Sequence, residues 1–341
     1  MSDANDLVIE NGVVVSGSLF YEPEDQLVIP EGVTAIGKYA FMNVIGLTEV
    51  ILPDSVLSIG DGAFSGCWQL ERVHLSRNIQ NIGFGAFRDC RILKEINFPN
   101  HEITIGTDAF RKCNALADEN GLIIVGRELL ASFPKVKELT IPDGVEMIHF
   151  EAFMWNRVLE KITLPDTLKR IGVRAFEGCI NLRRVEFPKG LEFVGAGAFQ
   201  DCPRMADGNG MVIVGGILFN YWGKGADISV PDGVSLIADN AFENNRKLVS
   251  ISIPESVREI EFSAFSGCTK LMHVQLPDGL EKIGDYAFFK CSKLRDLKIP
   301  ARVNEIGPWA FSECRNLTIH APEGSYAETY VKEKNIPFVA E

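Results

Sequence analysis

An Ala-Phe pair recurs along this chain at a fixed spacing, and no other feature limits the possible folds so strongly. Its phenylalanine stands at positions 41, 64, 87, 110, 153, 176, 199, 242, 265, 288 and 311, so the spacing is 23 residues apart from two gaps of 43. The surrounding residues follow the pattern LxxVxLPxxVxxIGxxAFxxC, for example from Leu271 to Cys291. A constant period of about 20 to 50 residues is typical of a solenoid, in which each repeat forms one coil and buries its apolar face against its neighbours. The repeat phenylalanines are therefore expected to form a buried column.

Each repeat contains the signals of two different elements. Val73 and Leu75 alternate with Arg72 and His74, which predicts a short strand, and the Pro-Asp-Gly type of sequence that follows such strands predicts a turn. In VxxIGxxAFxxC the apolar residues lie three or four apart, which predicts a short helical or 3₁₀ segment. The sequence therefore predicts an α/β-type repeat solenoid, a right-handed stack of coils with one continuous parallel sheet and the helical or 3₁₀ segments opposite it.

Three similar segments interrupt or precede the coils. They are ENGVVVSGSLFYEP from Glu10 to Pro23, ENGLIIVGRELLASF from Glu119 to Phe133 and GNGMVIVGGILFNYW from Gly208 to Trp222. Each has two apolar runs around a glycine-containing turn, which predicts a β-hairpin. We expect a single rigid solenoid domain over residues 1–341, built from a hairpin and four coils (5–116), a hairpin and three coils (117–205), a hairpin and four coils (206–320) and a C-terminal cap (321–341).

The last segment, APEGSYAETYVKEKNIPFVAE, departs from the repeat pattern. Tyr326, Tyr330 and Val331 are spaced to share one face of a helix. An open stack of coils needs such an end because its terminal coil otherwise exposes unpaired strand edge and core. We expect this helix to cover the last coil, so that both ends of the solenoid are closed.

The cysteines occupy a structural position and not a reactive one. All eight, at 67, 90, 113, 179, 202, 268, 291 and 314, stand three residues after a repeat phenylalanine, and Val44, Asn156 and Asn245 replace them in the remaining coils. This pattern predicts small, buried, reduced thiols. The five histidines are scattered, and zinc spacings, phosphate-binding loops and hydrolase motifs are not found. The sequence therefore predicts no catalytic, cofactor-binding or metal-binding residues.

The charge excludes one class of partner. The net charge is −12, and Lys and Arg do not cluster into a basic patch, so we expect no nucleic-acid binding. No run approaches the roughly 18 apolar residues of a membrane-spanning helix, so membrane insertion is not expected either. The first residues, MSDANDLVIENG, lack the basic start and apolar run of a signal peptide. We expect a monomer.

The outward positions of the predicted strands form the first candidate binding surface. Its residues are Arg72, His74, Glu95, Glu138, Lys161, Arg184, Glu186 and His273. Opposite charges follow one another through Glu49, Arg72 and Glu95, and again at Glu138 and Lys161, so neighbouring coils are expected to pair them. A solvated charge ladder is one interpretation, and a concave recognition face is the other.

Aromatic residues of the hairpin segments form the second candidate. They are Phe20, Tyr21, Phe133, Phe219, Tyr221 and Trp222, and of these Tyr221 and Trp222 are the candidate contact residues. Packing of the hairpins onto the solenoid is the alternative interpretation. Trp68, Trp155 and Trp309 flank the repeat core and are expected to pack against it.

With its 23-residue repeat ending in IGxxAFxxC, its hairpin segments and its GSYAETYVKEKNIPFV ending, the chain resembles the BspA-like leucine-rich-repeat family of bacterial surface antigens. The resemblance covers nearly the whole chain. It implies a non-enzymatic surface or secreted protein that binds host matrix proteins, other cell-surface macromolecules or glycans. Relatives usually carry an export signal, so the resemblance implies either a signal removed before residue 1 or a cytoplasmic member of the family.

Three functions follow from these observations. The first is an adhesive protein-binding surface protein, which predicts export. The second is an intracellular scaffold, which the absence of a signal and eight unpaired cysteines favour, since such cysteines suit a reducing compartment. The third is an enzyme acting on glycans, which needs a pair of acids in a cleft, and the sequence singles out no such pair.

Overall fold

The strands of this protein are short and lie side by side in two series. In the computed structural model, residues 7–17, 26–99, 101 and 103–341 are described. They form unit 1 (Met1–Ala175 with Glu186–Glu192) and unit 2 (Phe176–Val185 with Phe193–Glu341). The strands up to residue 171 are β1 (Val8–Glu10), β2 (Val13–Ser16), β3 (Gln26–Val28), β4 (Ala35–Ile36), β5 (Glu49–Ile51), β6 (Ser58–Ile59), β7 (Arg72–His74), β8 (Asn81–Ile82), β9 (Glu95–Ile96), β10 (Thr104–Ile105), β11 (Leu122–Val125), β12 (Glu128–Ser132), β13 (Glu138–Thr140), β14 (Met147–Ile148), β15 (Lys161–Thr163) and β16 (Arg170–Ile171).

The remaining elements include a helix near the C-terminus. They are β17 (Arg184–Glu186), β18 (Phe193–Val194), β19 (Met211–Val214), β20 (Ile217–Tyr221), β21 (Asp227–Ser229), β22 (Leu236–Ile237), β23 (Ser250–Ser252), β24 (Glu259–Ile260), β25 (His273–Gln275), β26 (Lys282–Ile283), β27 (Asp296–Lys298), β28 (Glu305–Ile306), β29 (Thr318–Ala321), α1 (Tyr326–Lys334) and β30 (Phe338–Ala340). Two 3₁₀ turns lie at Asn114–Leu116 and Pro203–Met205. The single rigid domain over residues 1–341 stays a prediction.

Each coil contributes one strand to each series, and strands of neighbouring coils pair in parallel. In unit 1 one sheet has the order β3-β5-β7-β9, and another ends in β4-β6-β8-β10. The register is one repeat, with Val50 opposite Val73 and Val73 opposite Ile96. In unit 2 the corresponding sheets are β21-β23-β25 and β20-β22-β24-β26-β28. The stack of parallel-strand coils is confirmed, but the single continuous sheet is wrong, because each coil forms two strands and the sheets are separate.

The segment around each Ala-Phe pair is an arc of turns, where the sequence predicted a short helical or 3₁₀ segment. The residues two before and two after the phenylalanine have positive φ in all eleven coils, for example Tyr39 (58°) and Asn43 (59°) around Phe41. Alternate amides therefore point along the stack, and those of Tyr39, Phe41 and Asn43 donate to the next coil over 2.8–2.9 Å. A helix does not form because every second N–H is used between coils.

The repeat phenylalanines form a column within each unit, as predicted. Ring centroids are 5.2, 5.4 and 5.5 Å apart along Phe41, Phe64, Phe87 and Phe110, and 5.0, 5.1 and 5.6 Å apart along Phe242, Phe265, Phe288 and Phe311. All eight rings are buried. Each ring stacks, with an offset, on the rings of the neighbouring coils. The stability of a coil therefore depends on the coils beside it.

The hairpins extend the second series of strands. β11 and β12 pair antiparallel around Gly126, β19 and β20 around Gly215, and β12 and β20 then pair in parallel with the first coils. In the first block the hairpin is β1-β2, with its turn at Asn11 and Gly12, and β2 pairs with β4. It therefore begins and ends earlier than the predicted Glu10–Pro23, because Val13–Ser16 is its second strand and not its first. Phe20 and Tyr21 lie outside the described residues.

The cysteines connect successive coils. The thiols of Cys67, Cys90 and Cys113 donate to the carbonyl oxygen of the phenylalanine 26 residues earlier over 3.0–3.2 Å, and those of Cys202, Cys268, Cys291 and Cys314 do the same over 3.0–3.2 Å. Val44, Asn156 and Asn245 occupy this slot in the first coil of each block, where no Ala-Phe coil precedes them in the same block. Asn156 and Asn245 instead accept bonds from amides two and three residues later. Cysteine therefore marks every coil that follows another one.

The predicted C-terminal helix is present as α1. Ser325 caps its start by accepting a bond from the Glu328 amide, and Asn335 ends it in the left-handed conformation. Tyr330 and Val331 are buried, and the Tyr330 ring meets the Phe311 ring edge-on at 6.2 Å. Tyr326 was wrongly assigned to the buried face, since it is exposed. β30 adds a parallel strand beside β29, so the cap covers both core and strand edge.

Candidate binding surface

The outward face of β3, β5, β7 and β9, here called the strand face of unit 1, has a buried carboxylate at its centre. Glu49 is 6% exposed although it points outward, because its neighbours cover it. Its carboxylate accepts bonds from Arg72 Nε at 3.1 Å and from Gln26, and it lies 2.9 Å from His74 Nε2. The Arg72 hydrogen bond, and then that of His74, holds the pKa of Glu49 below its usual 4.5. The predicted pairing of Glu49 with Arg72 is confirmed, and it fixes both side chains in place.

A cavity of about 540 Å³ lies beside this network, where the first inserted hairpin meets the strand face. Arg72, His74 and Glu95 contribute to its polar wall. Ile96, Phe98 and Ile124 are among its apolar residues, so three predicted surface residues surround an apolar floor. A mixed, partly preformed cavity of this kind is typical of a binding site for a side chain or a small ligand.

The other predicted residues of the strand positions are placed as follows. Glu138, Lys161, Glu186 and His273 are exposed, and Glu138 lies directly opposite Lys161 across β13 and β15. Arg184 belongs to β17, and its side chain lies outside the described part of the structure. In unit 2, His273 lines a cavity of about 460 Å³ together with Asp227, Ser250 and Gln275. There the Ser250 hydroxyl donates to Asp227 over 2.6 Å, so this face carries hydroxyl groups where the strand face of unit 1 carries ion pairs.

The two aromatic candidates have different environments. Trp222 is 46% exposed, as a contact residue requires. Tyr221 was wrongly assigned to the surface, because it is buried and its ring stacks on Phe242 at 5.2 Å. Its ring stands directly before Phe242 at the head of the column that runs from Phe242 to Phe311, and its hydroxyl accepts a bond from the Gly225 amide at 2.9 Å. Phe219 is also buried, so packing was the correct interpretation for both residues.

The tryptophans of the coils are the residues for which the sequence interpretation failed most clearly. Trp68, Trp155 and Trp309 were expected to pack against the core, but they are 53%, 49% and 56% exposed. All three lie on the arcs, and Trp155 and Trp309 occupy its positive-φ positions. The sequence did contain a signal. The three tryptophans stand at positions of the repeat where the other coils have no regular apolar residue, and such positions point outward.

The chemistry of the thiols is suppressed by their burial. All eight cysteines are buried and free. Desolvation raises the pKa of Cys67 and of Cys113 to about 12, so these thiols stay protonated and poorly nucleophilic at neutral pH. Over the described ranges, no group of three or more His, Cys, Asp or Glu side chains is arranged to hold a metal ion. No helix in the described part of the chain has the length and hydrophobicity that a bilayer crossing requires.

Comparison with known families agrees with this architecture. The profile of the BspA type leucine-rich repeat region matches six copies, over residues 16–120, 123–208 and 213–328. The chain belongs to the BspA-type leucine-rich repeat family. Repeats of the BspA type are generally non-enzymatic. The search among curated proteins gave no match.

Solved structures of bacterial leucine-rich-repeat proteins are similar to this BspA-type chain. A leucine-rich cell surface protein from Faecalibacterium prausnitzii is 24% identical, with 98% of this chain and 92% of that chain covered and a TM-score of 0.47. A leucine-rich repeat protein from Bacteroides ovatus is 23% identical, with 98% and 97% covered and a TM-score of 0.39. The pneumococcal vaccine antigen PcpA is 18% identical, with 96% and 84% covered and a TM-score of 0.35. With such identities and TM-scores, these likenesses add nothing to what the repeat match establishes.

Proposed function

We propose that this protein is a non-enzymatic adhesion protein of the cell surface, which binds matrix or cell-surface proteins through the strand face of unit 1. The observation that carries the proposal is that repeated and variable residues of each coil have different environments. The residues that repeat are buried in the core, and the residues that vary, such as His74 and Glu95, are exposed around a cavity. When only the packing residues repeat, the exposed variable residues determine which partner the protein binds.

The composition of the strand face supports a protein partner. Interfaces between proteins combine an apolar centre with a polar rim, and arginine and aromatic residues are enriched in them. Here Ile96, Phe98 and Ile124 supply the apolar centre, and Arg72 supplies an arginine that Glu49 already holds in one geometry. Because that side chain is ordered in advance, binding loses less conformational entropy than it does with a free arginine.

Binding to a panel of immobilised extracellular-matrix proteins, measured by biolayer interferometry, tests the proposal. The variant His74→Ala with Glu95→Ala removes two exposed side chains and leaves the Glu49 ion pair with Arg72 intact. We expect the wild type to bind a member of the panel and this variant to bind it about five- to tenfold more weakly, as for a loss of roughly 1 kcal/mol at an interface. The matched control is Glu31→Ala with Arg302→Ala, which removes two exposed side chains from turns of the coils. Equal binding by variant and wild type contradicts the assignment of this surface.

An intracellular interaction protein is the second candidate, and the eight free cysteines favour it because such thiols persist in a reducing compartment. Protease shaving of intact source cells separates the two candidates. Peptides of this chain released before lysis support the surface protein. Protection until lysis contradicts it, and the search for partners then moves to pull-down from the lysate.

A further inference from the structure

The arcs of the first coils of unit 1 expose a cluster of large apolar side chains. Tyr39, Met42, Trp68, Phe84 and Ile92 are 51%, 43%, 53%, 50% and 43% exposed. All five line one open cavity of about 890 Å³, here called the arc trough. Apolar side chains scattered singly over a surface need no explanation, but a contiguous group around a cavity is typical of an interaction site.

Glycines keep the arc trough open. Gly62 and Gly66 lie on its floor with φ values of 58° and 76°. A Cβ atom at Gly62 is only 2.5 Å from the Tyr39 ring, and one at Gly66 is 2.1 Å from the Asn43 side-chain oxygen. Any other residue at these two positions fills the trough or displaces its walls.

Tyr39 presents a large ring at one of the positive-φ positions that every arc has. Its φ is 58°, a conformation that glycine, asparagine and aspartate adopt far more easily than a bulky aromatic residue. Half of the side chain is exposed to solvent, so core packing does not account for it. The exposed part of the ring is therefore open to contact with a ligand in the trough.

The edge of the arc trough has more positive than negative charge. Asp89 lies 3.2 Å from Arg91, 3.2 Å from Lys112 and 3.9 Å from Arg88, so one carboxylate faces three cations. Arg88 also reaches Asp108, at 3.4 Å, but Asp108 is shared with Arg111. In a chain with a net charge of −12, this local excess of cations favours an acidic partner.

The backbone of the arc trough offers few free hydrogen-bonding groups. The amide of Gly62 donates to the Phe84 carbonyl over 2.8 Å, and that of Gly66 donates to the Arg88 carbonyl over 2.7 Å. A sugar needs hydrogen bonds for its hydroxyl groups, whereas an apolar peptide side chain needs only apolar neighbours. Met42 and Ile92 beside the rings therefore favour a peptide over a glycan.

We propose that the arc trough binds an extended acidic peptide segment of a partner protein, whose apolar side chains enter the trough while its carboxylates face Arg91 and Lys112. This surface is distinct from the strand face, and its assignment stands whether or not the strand face binds a matrix protein.

The test is a selection from a phage library of random linear peptides on the immobilised full chain, followed by fluorescence anisotropy with the enriched peptides. Tyr39→Gly removes the ring and relieves the positive φ, so this variant is expected to fold, and Trp68→Ala removes an exposed side chain. We expect enriched peptides rich in Asp, Glu and apolar residues, and each variant should weaken their binding about tenfold. Arg91→Gln with Lys112→Gln should weaken binding and reduce its salt dependence.

Trp155→Gly is the matched control, because Trp155 is also exposed at a positive φ of 60° in unit 1 but does not line the arc trough. It should leave the affinity unchanged. Enrichment of basic peptides, or binding that Tyr39→Gly and Trp68→Ala do not weaken, overturns the proposal. Heparin oligosaccharides are the second probe, and tighter binding of heparin that depends on Tyr39 and Trp68 overturns it in favour of an anionic glycan.

Discussion

Two residues before the repeat phenylalanine, unit 1 carries glycine in two consecutive coils, at Gly62 and Gly85, whereas unit 2 carries Tyr286 and Trp309. All four residues have positive φ, between 54° and 58°. In unit 1 the glycines leave space beside Tyr39 and Phe84. In unit 2 the Tyr286 and Trp309 rings stack at 5.2 Å, so the same backbone carries an aromatic ridge and not a trough.

The difference shows which positions of a coil are free to change. Two further rings, Phe262 and Phe289, meet Tyr286 edge-on at 5.8 and 5.5 Å, so the rings of the ridge pack against one another. The buried parts of the two arcs are meanwhile alike, with the same phenylalanine column and the same thiol bonds. Surface chemistry in this fold therefore varies at the positive-φ positions without disturbing the core.

The largest expected effect tests whether the phenylalanine columns of the two units contribute equally to stability. Phe87→Ala in unit 1 and Phe265→Ala in unit 2 each remove a fully buried ring from the middle of a column, and each should cost about 3–5 kcal/mol of stability. Urea unfolding followed by circular dichroism measures both. Phe84→Ala, which removes an exposed ring three residues away from Phe87, is the control and should stay within about 1 kcal/mol. A large difference in lost stability between Phe87→Ala and Phe265→Ala contradicts the view that the two columns are equivalent.

The thiol bonds provide the next test. Cys90→Ala and Cys291→Ala each remove a buried sulfur and its bond to the carbonyl of the preceding coil, and each should cost about 1–2 kcal/mol in the same unfolding measurement. Val44→Cys is the control, because no Ala-Phe coil precedes Val44 and the sequence therefore has no repeat phenylalanine 26 residues before it. It should lower stability slightly. If Val44→Cys stabilises the protein, the inter-coil bond is not the reason for cysteine in this slot.

The repeat spacing was enough to predict the coils, the buried phenylalanine column and the buried cysteines, because a period of 23 residues places equivalent side chains in equivalent environments. It did not reveal the turns of the arc. Positive φ could not be predicted at Tyr39, Arg174 or Trp309, since tyrosine, arginine and tryptophan seldom adopt it. The strands of the second series were not predicted either. A strand of two residues, such as Ala35–Ile36, is too short to show the alternation of apolar and polar residues that indicates a strand.

The candidate site was predicted only in part. Arg72, His74 and Glu95 were found because strand alternation fixes which side chains point outward. Tyr221 was misassigned because it lies 21 residues before Phe242 and not 23, so its place in the column was not visible. The arc trough was not predicted, although a signal existed, because Tyr39 and Trp68 stand at positions that the repeat pattern leaves open.

Acid sensitivity tests the ion pair at the centre of the strand face. Because the pKa of Glu49 is lowered in the folded protein, its contribution to stability is complete above its usual 4.5 and is lost as the pH falls through the lowered value. Glu49→Gln should therefore be less stable than the wild type at pH 7, by roughly 1 kcal/mol, and the difference should shrink below about pH 4.5. Thermal unfolding from pH 7 to pH 3 measures it. A constant difference across that range means that the ion pair with Arg72 contributes nothing.

The smallest expected effect is the most informative, because one substitution should have opposite signs in the two arcs. Tyr39→Gly removes an exposed ring and relieves a positive φ, so it should leave stability unchanged or raise it by up to about 1 kcal/mol. Tyr286→Gly relieves a similar φ of 56° but loses ring contacts with Phe262, Phe289 and Trp309, so it should lower stability by about 1 kcal/mol. Thermal unfolding of both variants, with Trp155→Gly as a third exposed aromatic residue at positive φ, measures the difference. Equal effects at Tyr39 and Tyr286 mean that the contacts between the rings of the ridge contribute nothing to stability.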